Sequence, residues 1–261
     1  MGERLLKAAL ERVDNERRKR AEGMKAGKPQ AACVGAGLLL QLAVQDALTA
    51  VSGADVPGMV DGETDAIECE ADLTLDAKGQ SWRLIEDMKA DCAAGAKGLR
   101  VYSALQVMEL VERPIELVMD YGEKGKPYLR EYPLFFNLSH SGEYVVCAVS
   151  DREIGVDIQK CSGMNAMGIA KRFFSEDECR ALEVCETGEE RQQSFFRLWV
   201  RKEAYGKLLG EGVLGVVSAN LLPDESRSTT ERELIWHEWS FPKGYRIAMC
   251  QRIHGLARRS D

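Results

Sequence analysis

The chain has no excess of basic charge: 35 Lys plus Arg stand against 42 Asp plus Glu, a net −7 at pH 7. That balance excludes a global cationic field of the kind that draws proteins to nucleic acid or to an anionic membrane. An anionic ligand must therefore be held by a local cluster. CxxC pairs are missing as well. The eight cysteines (Cys33, Cys69, Cys92, Cys147, Cys161, Cys179, Cys185, Cys250) are scattered, and the closest spacing, Cys179 to Cys185, is too wide for a zinc knuckle. They are read as reduced thiols. The apolar run LLLQLAV at 38–44 is far too short to span a bilayer. The opening MGERLLKAALERVDNERRKR is charged from the start and has no apolar run before a cleavage-like site, which argues against a signal peptide. The protein is therefore expected to be cytoplasmic.

What is present suffices for a core: 261 residues, 45% of them hydrophobic, support one large domain or two small lobes. Residues 3–22 place Leu5, Ala8, Ala9 and Val13 between charges, which predicts an amphipathic helix ended by the Gly27 and Pro29 breakers. A strongly apolar helix follows over about 31–51. Residues 52–96 are acidic and weakly periodic, and are expected to be loops or an insertion. A helix is predicted within 102–111, then a strand in IELVMDY closed by the turn EKGKP. YVVCAVS and EIGVDIQ, separated by 151–153, read as an antiparallel hairpin. Two further strands, 234–241 and 245–251, flank a turn at 242–244.

Three places carry chemistry. In EIGVDIQ the period of two sends Ile154, Val156 and Ile158 one way and Gly155, Asp157 and Gln159 the other, leaving a polar pair beside a glycine gap. A solvated outer face is the alternative. In QQSFFRLWVRKEAYGKLLG, Glu203 shares the apolar stripe of Trp199 and Phe196, where a carboxylate needs a cation or several donors. Lys207 at i+4 is one candidate, as a simple salt bridge. Mg²⁺ shared between Asp157 and Glu203 is another, since Mg²⁺ takes one or two carboxylates, water and substrate phosphate oxygens. The third place is NLSHSG at 137–142, read as a strand end running into a loop of small residues, where Ser139 and His140 suit phosphate or ribose oxygens. A Ser/His hydrolase pair is disfavoured, because neighbours on a strand point apart and no orienting acid stands out. Lys126 in GKP is a further anion ligand candidate, in a rigid turn.

Together GKP at 125–127, FNLSHSG at 136–142, CA at 147–148, GVDIQ at 155–159, RFFSEDE at 172–178 and LWVRKEAYGKLLGEGV at 198–213 resemble the Sfp-type 4'-phosphopantetheinyl transferases. The combination is specific where each piece alone is not. The resemblance implies transfer of the phosphopantetheine arm of coenzyme A to a serine of an apo acyl- or peptidyl-carrier protein, with Mg²⁺ as cofactor and 3',5'-ADP released. This is activity of the holo-[acyl-carrier-protein] synthase type.

It implies catalytic roles for Glu203, Lys207 and Asp157, and a metal shell of Asp157, Glu203 and Gln159. Gln159 stands where many relatives have glutamate, so an amide oxygen or water is expected there. Lys126, Ser139, His140, Lys202 and Lys207 are implied as coenzyme A ligands. Arg17 and Arg20, from ERRKR at 16–20, stand for the family's basic helix, although QAACVGAG at 30–37 lacks the arginine of the helix after it. The implied fold is α/β (α+β), two pseudo-twofold lobes each with a small antiparallel sheet on helices. The expected division is 1–125, with an insertion around 52–115, and 126–261. Two such lobes in one chain make a monomer sufficient, with no nucleic-acid or membrane partner.

Overall fold

The computed structural model describes residues 2–52, 100, 102–111, 114–163, 165–223 and 234–253. Most of the expected insertion, and all of the acidic loops at 53–96, lie outside the described residues. The single helix expected over 3–22 is two, α1 (Glu3–Leu10) and α2 (Asn15–Glu22). Asp14 makes the break: its side chain accepts the Arg17 N–H at 2.8 Å, and an N-cap residue sits outside the helical backbone. The next helix, α3 (Lys28–Ser52), tolerates Pro29 in its first turn, where the N–H has no intrahelical acceptor.

Helix α3 fills two cores. Val34, Leu38 and Leu42 pack with α1, α2 and α4 (Ala104–Leu110), while Leu40 and Val44 pack with Leu117, Leu129, Leu134 and Phe136. By length and composition alone Lys28–Leu48 is apolar enough to cross a membrane, which corrects the reading from the shorter LLLQLAV run; half of that window is buried inside the protein. Gln41, fully buried, donates to the Arg12 carbonyl (3.1 Å) and accepts the Ile115 N–H (2.9 Å), joining the α1–α2 link to the chain entering β1.

Strands β1 (Met119–Tyr121) and β2 (Pro127–Leu129) form a hairpin straddling 125/126, with Gly125 at φ 77° in its turn. Strands β3 (Phe135–Ser141) and β4 (Tyr144–Ser150) form the next, around Gly142 at φ 59°. Two sequence expectations change here. NLSHS is strand, not loop, up to Ser141. And β5 (Ile154–Lys160) does not fold back onto β4, whose ladder belongs to β3. It pairs instead with β7 (Tyr245–Arg252), which in turn pairs with β6 (Leu234–Trp239), giving the order β5-β7-β6. The Glu153 carboxylate accepts from Arg252 Nε at 2.6 Å and its carbonyl from the Arg252 N–H at 3.1 Å, anchoring the start of β5 to β7.

Helices α5 (Ala166–Phe173) and α6 (Glu176–Glu183) precede the long α7 (Gly188–Leu209). Capping boxes at Ser175–Glu178 and Thr187–Glu190 start α6 and α7, and Gly210 at φ 70° ends α7. One side of α7 buries Val200, Ala204 and Leu208 against Leu234, Ala248 and Cys250 of the sheet; Phe195, Phe196 and Leu198 pack against α5 and α6. Helices with small antiparallel sheets make this an α+β fold.

Candidate active site

The alternation read from β5 holds: Ile154, Val156 and Ile158 enter a core with Trp239, Phe241 and Ile247. Gly155, Asp157 and Gln159 face the other way, but the gap expected above Gly155 is filled. A Cβ there would lie 2.0 Å from the Ala204 carbonyl oxygen and 2.6 Å from the Leu208 nitrogen, so the missing side chain is what lets α7 lie directly on β5. That close approach brings Glu203 and Lys207 over Asp157.

Lys207 Nζ donates to Asp157 Oδ1 (2.6 Å), Ser139 Oγ (2.7 Å) and the Val156 carbonyl (3.3 Å), and Ser139 Oγ donates to the same Oδ1 at 2.7 Å. The i,i+4 pair with Glu203 is therefore replaced by a pair across elements. Asp157 is 5% exposed, and its Oδ2 is buried with no hydrogen-bond partner among the described residues. The Glu203 carboxyl is held above its ordinary range by burial and by the charge of Asp157, with Lys207 opposing the shift. Two carboxylates that repel one another, one with an orphaned oxygen, form a donor set that suits a divalent cation. Among the described residues no group of three or more His, Cys, Asp or Glu could hold a metal, so Mg²⁺ here would draw on water and phosphate oxygens.

Six of the sequence-predicted residues (Ser139, His140, Asp157, Gln159, Glu203, Lys207) line one open cleft of about 350 Å³, with Leu138 and Trp199 as its apolar wall. His140 is exposed, and the Gln159 amide donates to the Lys160 carbonyl at 3.2 Å.

Four predicted residues are not brought there. Lys202 is fully buried, paired with Glu178 at 2.9 Å and donating to the carbonyls of Val216 (3.1 Å), Val217 (2.9 Å) and Ala219. Adjacent helix positions lie about 100° apart around the axis, so Lys202 cannot share the face of Glu203. Lys126 donates to the Leu208 carbonyl (2.7 Å) at the end of α7, where a cation is favoured, and to the Ile154 carbonyl (3.3 Å) at the start of β5, and burial lowers its pKa. Arg17 packs its stem over Gly37 of α3, and Arg20 is exposed on α2. Sequence reasoning missed Asn137, whose side chain accepts the Val156 N–H at 3.0 Å beside Asp157. The signal was there, since Asn137, Ser139 and Ser141 share one face of a period-two strand.

The model of the 4'-phosphopantetheinyl transferase superfamily matches residues 153–250, a stretch that contains Asp157, Glu203 and Lys207. The chain is 36% identical over 164 residues to 4'-phosphopantetheinyl transferase psf-1 of Bacillus pumilus, covering 59% of this chain and 70% of that one. It belongs to the 4'-phosphopantetheinyl transferase superfamily. 4'-Phosphopantetheinyl transferase AcpT of Salmonella typhimurium is 34% identical over 147 residues, 54% of this chain and 76% of that one. 4'-Phosphopantetheinyl transferase Sfp of Bacillus subtilis is 40% identical over 92 residues, but that match spans only 35% of this chain and 40% of Sfp. The transferase family thus agrees with the resemblance carried by the motifs, and its matched region coincides with the strand and helix that build the cleft.

Proposed function

We propose that this chain moves the 4'-phosphopantetheine arm of coenzyme A onto a serine of an apo acyl- or peptidyl-carrier protein in a Mg²⁺-dependent reaction of the holo-[acyl-carrier-protein] synthase type. The observation that carries the reading is the meeting of Asp157, Glu203 and Lys207 across β5 and α7, with Asp157 Oδ2 left unpartnered. Mg²⁺ held by Asp157, Glu203 and Gln159 or a water would supply Lewis-acid stabilisation of the pyrophosphate oxygens.

The chain's own groups supply the rest. The carrier serine oxygen attacks the phosphorus that bears pantetheine, the bond from that phosphorus to the bridging oxygen breaks, and 3',5'-ADP leaves. Lys207 offsets charge developing on the bridging oxygen. Glu203, the other carboxylate at the cleft, takes the serine proton as general base. His140, exposed at the cleft, offers a donor to the nucleotide. Lys126 and Lys202 leave the ligand set, since neither lines the cleft and their ammonium groups are spent on carbonyls and, for Lys202, on Glu178. We take the enzyme to act as a cytoplasmic monomer of two lobes, without nucleic-acid or membrane partners.

The test is intact-mass analysis of apo carriers from fatty-acid, polyketide and peptide systems after incubation with coenzyme A and Mg²⁺. One added phosphopantetheine, lost when the metal is chelated, is the expected result. No mass gain on any carrier, with abundant Mg²⁺, would remove the proposal.

A further inference from the structure

Strand β3 lies alongside β5 without a backbone ladder: among the described residues β3 pairs with β4, and β5 with β7. Three side chains of β3 take the ladder's place. Asn137 Oδ1 accepts the Val156 N–H at 3.0 Å, Ser139 Oγ donates to Asp157 Oδ1 at 2.7 Å, and Ser141 Oγ accepts the Lys160 N–H at 2.9 Å. They are alternate residues, so one face of β3 supplies all three. The outer two satisfy backbone donors that would otherwise end at a seam between sheets. They also bracket the chemistry: Val156 directly precedes Asp157, and Lys160 directly follows Gln159.

A strand held on one edge by β7 alone could shift along or tilt relative to β3, and a shift of about 1 Å at a metal-holding carboxylate is enough to impair a site. Asn137 is not among the residues lining the cleft.

We propose that Asn137, with Ser141 as a second anchor, is a positioning residue: this side-chain ladder sets the height of β5 against β3, so that Asp157 stands opposite Glu203. The inference rests on the reading that these two carboxylates hold a divalent cation. Ser139, between the anchors, orients the carboxylate itself.

The test uses the full chain with Mn²⁺ as probe, its binding followed by electron paramagnetic resonance in the presence of coenzyme A. Folding is followed by circular dichroism and melting, and coenzyme A binding by calorimetry in chelator. Asn137→Ala should raise the Mn²⁺ Kd about tenfold, as loss of an outer-shell partner does, while metal-free coenzyme A affinity changes less than about twofold. Asn137→Asp keeps an acceptor oxygen in place and should recover Mn²⁺ affinity to within about threefold of wild type; Ser141→Ala should weaken it about threefold. A folded Asn137→Ala with wild-type Mn²⁺ affinity overturns the inference, as does failure of Asn137→Asp to recover it. Should Asn137→Ala not fold, an unchanged Kd in Ser141→Ala overturns it equally. If the wild type neither loads carriers nor binds Mn²⁺, the functional reading fails and takes this inference with it. If the wild type does both and the variants match it, only the positioning role is lost.

Discussion

On one face of α7 the Lys202 ammonium is completely buried and met by the Glu178 carboxylate and three carbonyls; on the face toward β5, Glu203 has no ion pair and Asp157 Oδ2 no partner among the described residues. Glu178 completes its side by accepting the Ser175 (2.7 Å) and Leu221 (2.9 Å) N–H groups, so the network ties α6, α7 and the 213–221 segment together with every lone charge answered. A buried charge costs free energy unless it is paired and hydrogen-bonded. The Lys202 side meets that condition and reads as structure. The Glu203 side does not, and a site that leaves carboxylates short of partners is built for something that arrives from outside.

The strongest way to break the contrast is Lys202→Met. It leaves the Glu178 charge buried and unpaired, and should cost about 3–5 kcal/mol in urea or thermal unfolding. If stability is unchanged and KM for coenzyme A rises instead, the lysine is a phosphate ligand after all. Next is Glu203→Gln, expected to lower kcat by roughly a hundredfold or more while the metal-free protein melts no lower than wild type. A large loss of stability would move Glu203 to the structural side.

A buried thiol gives a pH test of the same principle. Burial pushes Cys250, fully buried between β7 and α7, from 9.0 up to about 12. The unfolded chain ionises first, so its stabilising effect is whole below pH 9 and fades as pH rises toward 12. The thiol should cost about 1.4 kcal/mol of stability per pH unit in that window. Denaturant titrations at pH 8 and 10 should show a shallower fall for Cys250→Ala than for wild type; equal falls would count against a protonated buried thiol. The smallest effect expected is in Gln159→Glu, where the Mg²⁺ requirement should fall by about threefold if residue 159 reaches the cation. An unchanged or raised requirement in the loading assay would put it outside the metal shell.

Much of the site was legible because it is periodic. Alternation in β5 separated Asp157 from its core neighbours, and helical spacing put Glu203 and Lys207 on one face. Less was legible about who satisfies whom. Lys207 could be expected to pair with Glu203 four residues away, yet β5 offers Asp157 and β3 offers Ser139, both within 2.7 Å. Lys202 and Lys126 looked like anion ligands because sequence shows their charge but not the oxygens around it. The same limit explains the misplaced hairpin: apolar, β-branched β4 and β5 both read as strands, but strand partners depend on which edges are already taken.

Local chemistry in the sequence by itself therefore determined most of the strands, the long helices and the cluster of family motifs, since those depend on neighbours within about a turn or a strand. Only the tertiary structure decided that Gly155 is the seat of α7 and not a ligand gap, that β5 is held to β3 by side chains, and that one lysine of α7 is scaffold while another faces the cleft. Those outcomes turn on groups 14 to 68 residues apart, as in the Lys202–Val216 and Lys207–Ser139 bonds. Burial and hydrogen-bond satisfaction are settled only when such groups meet.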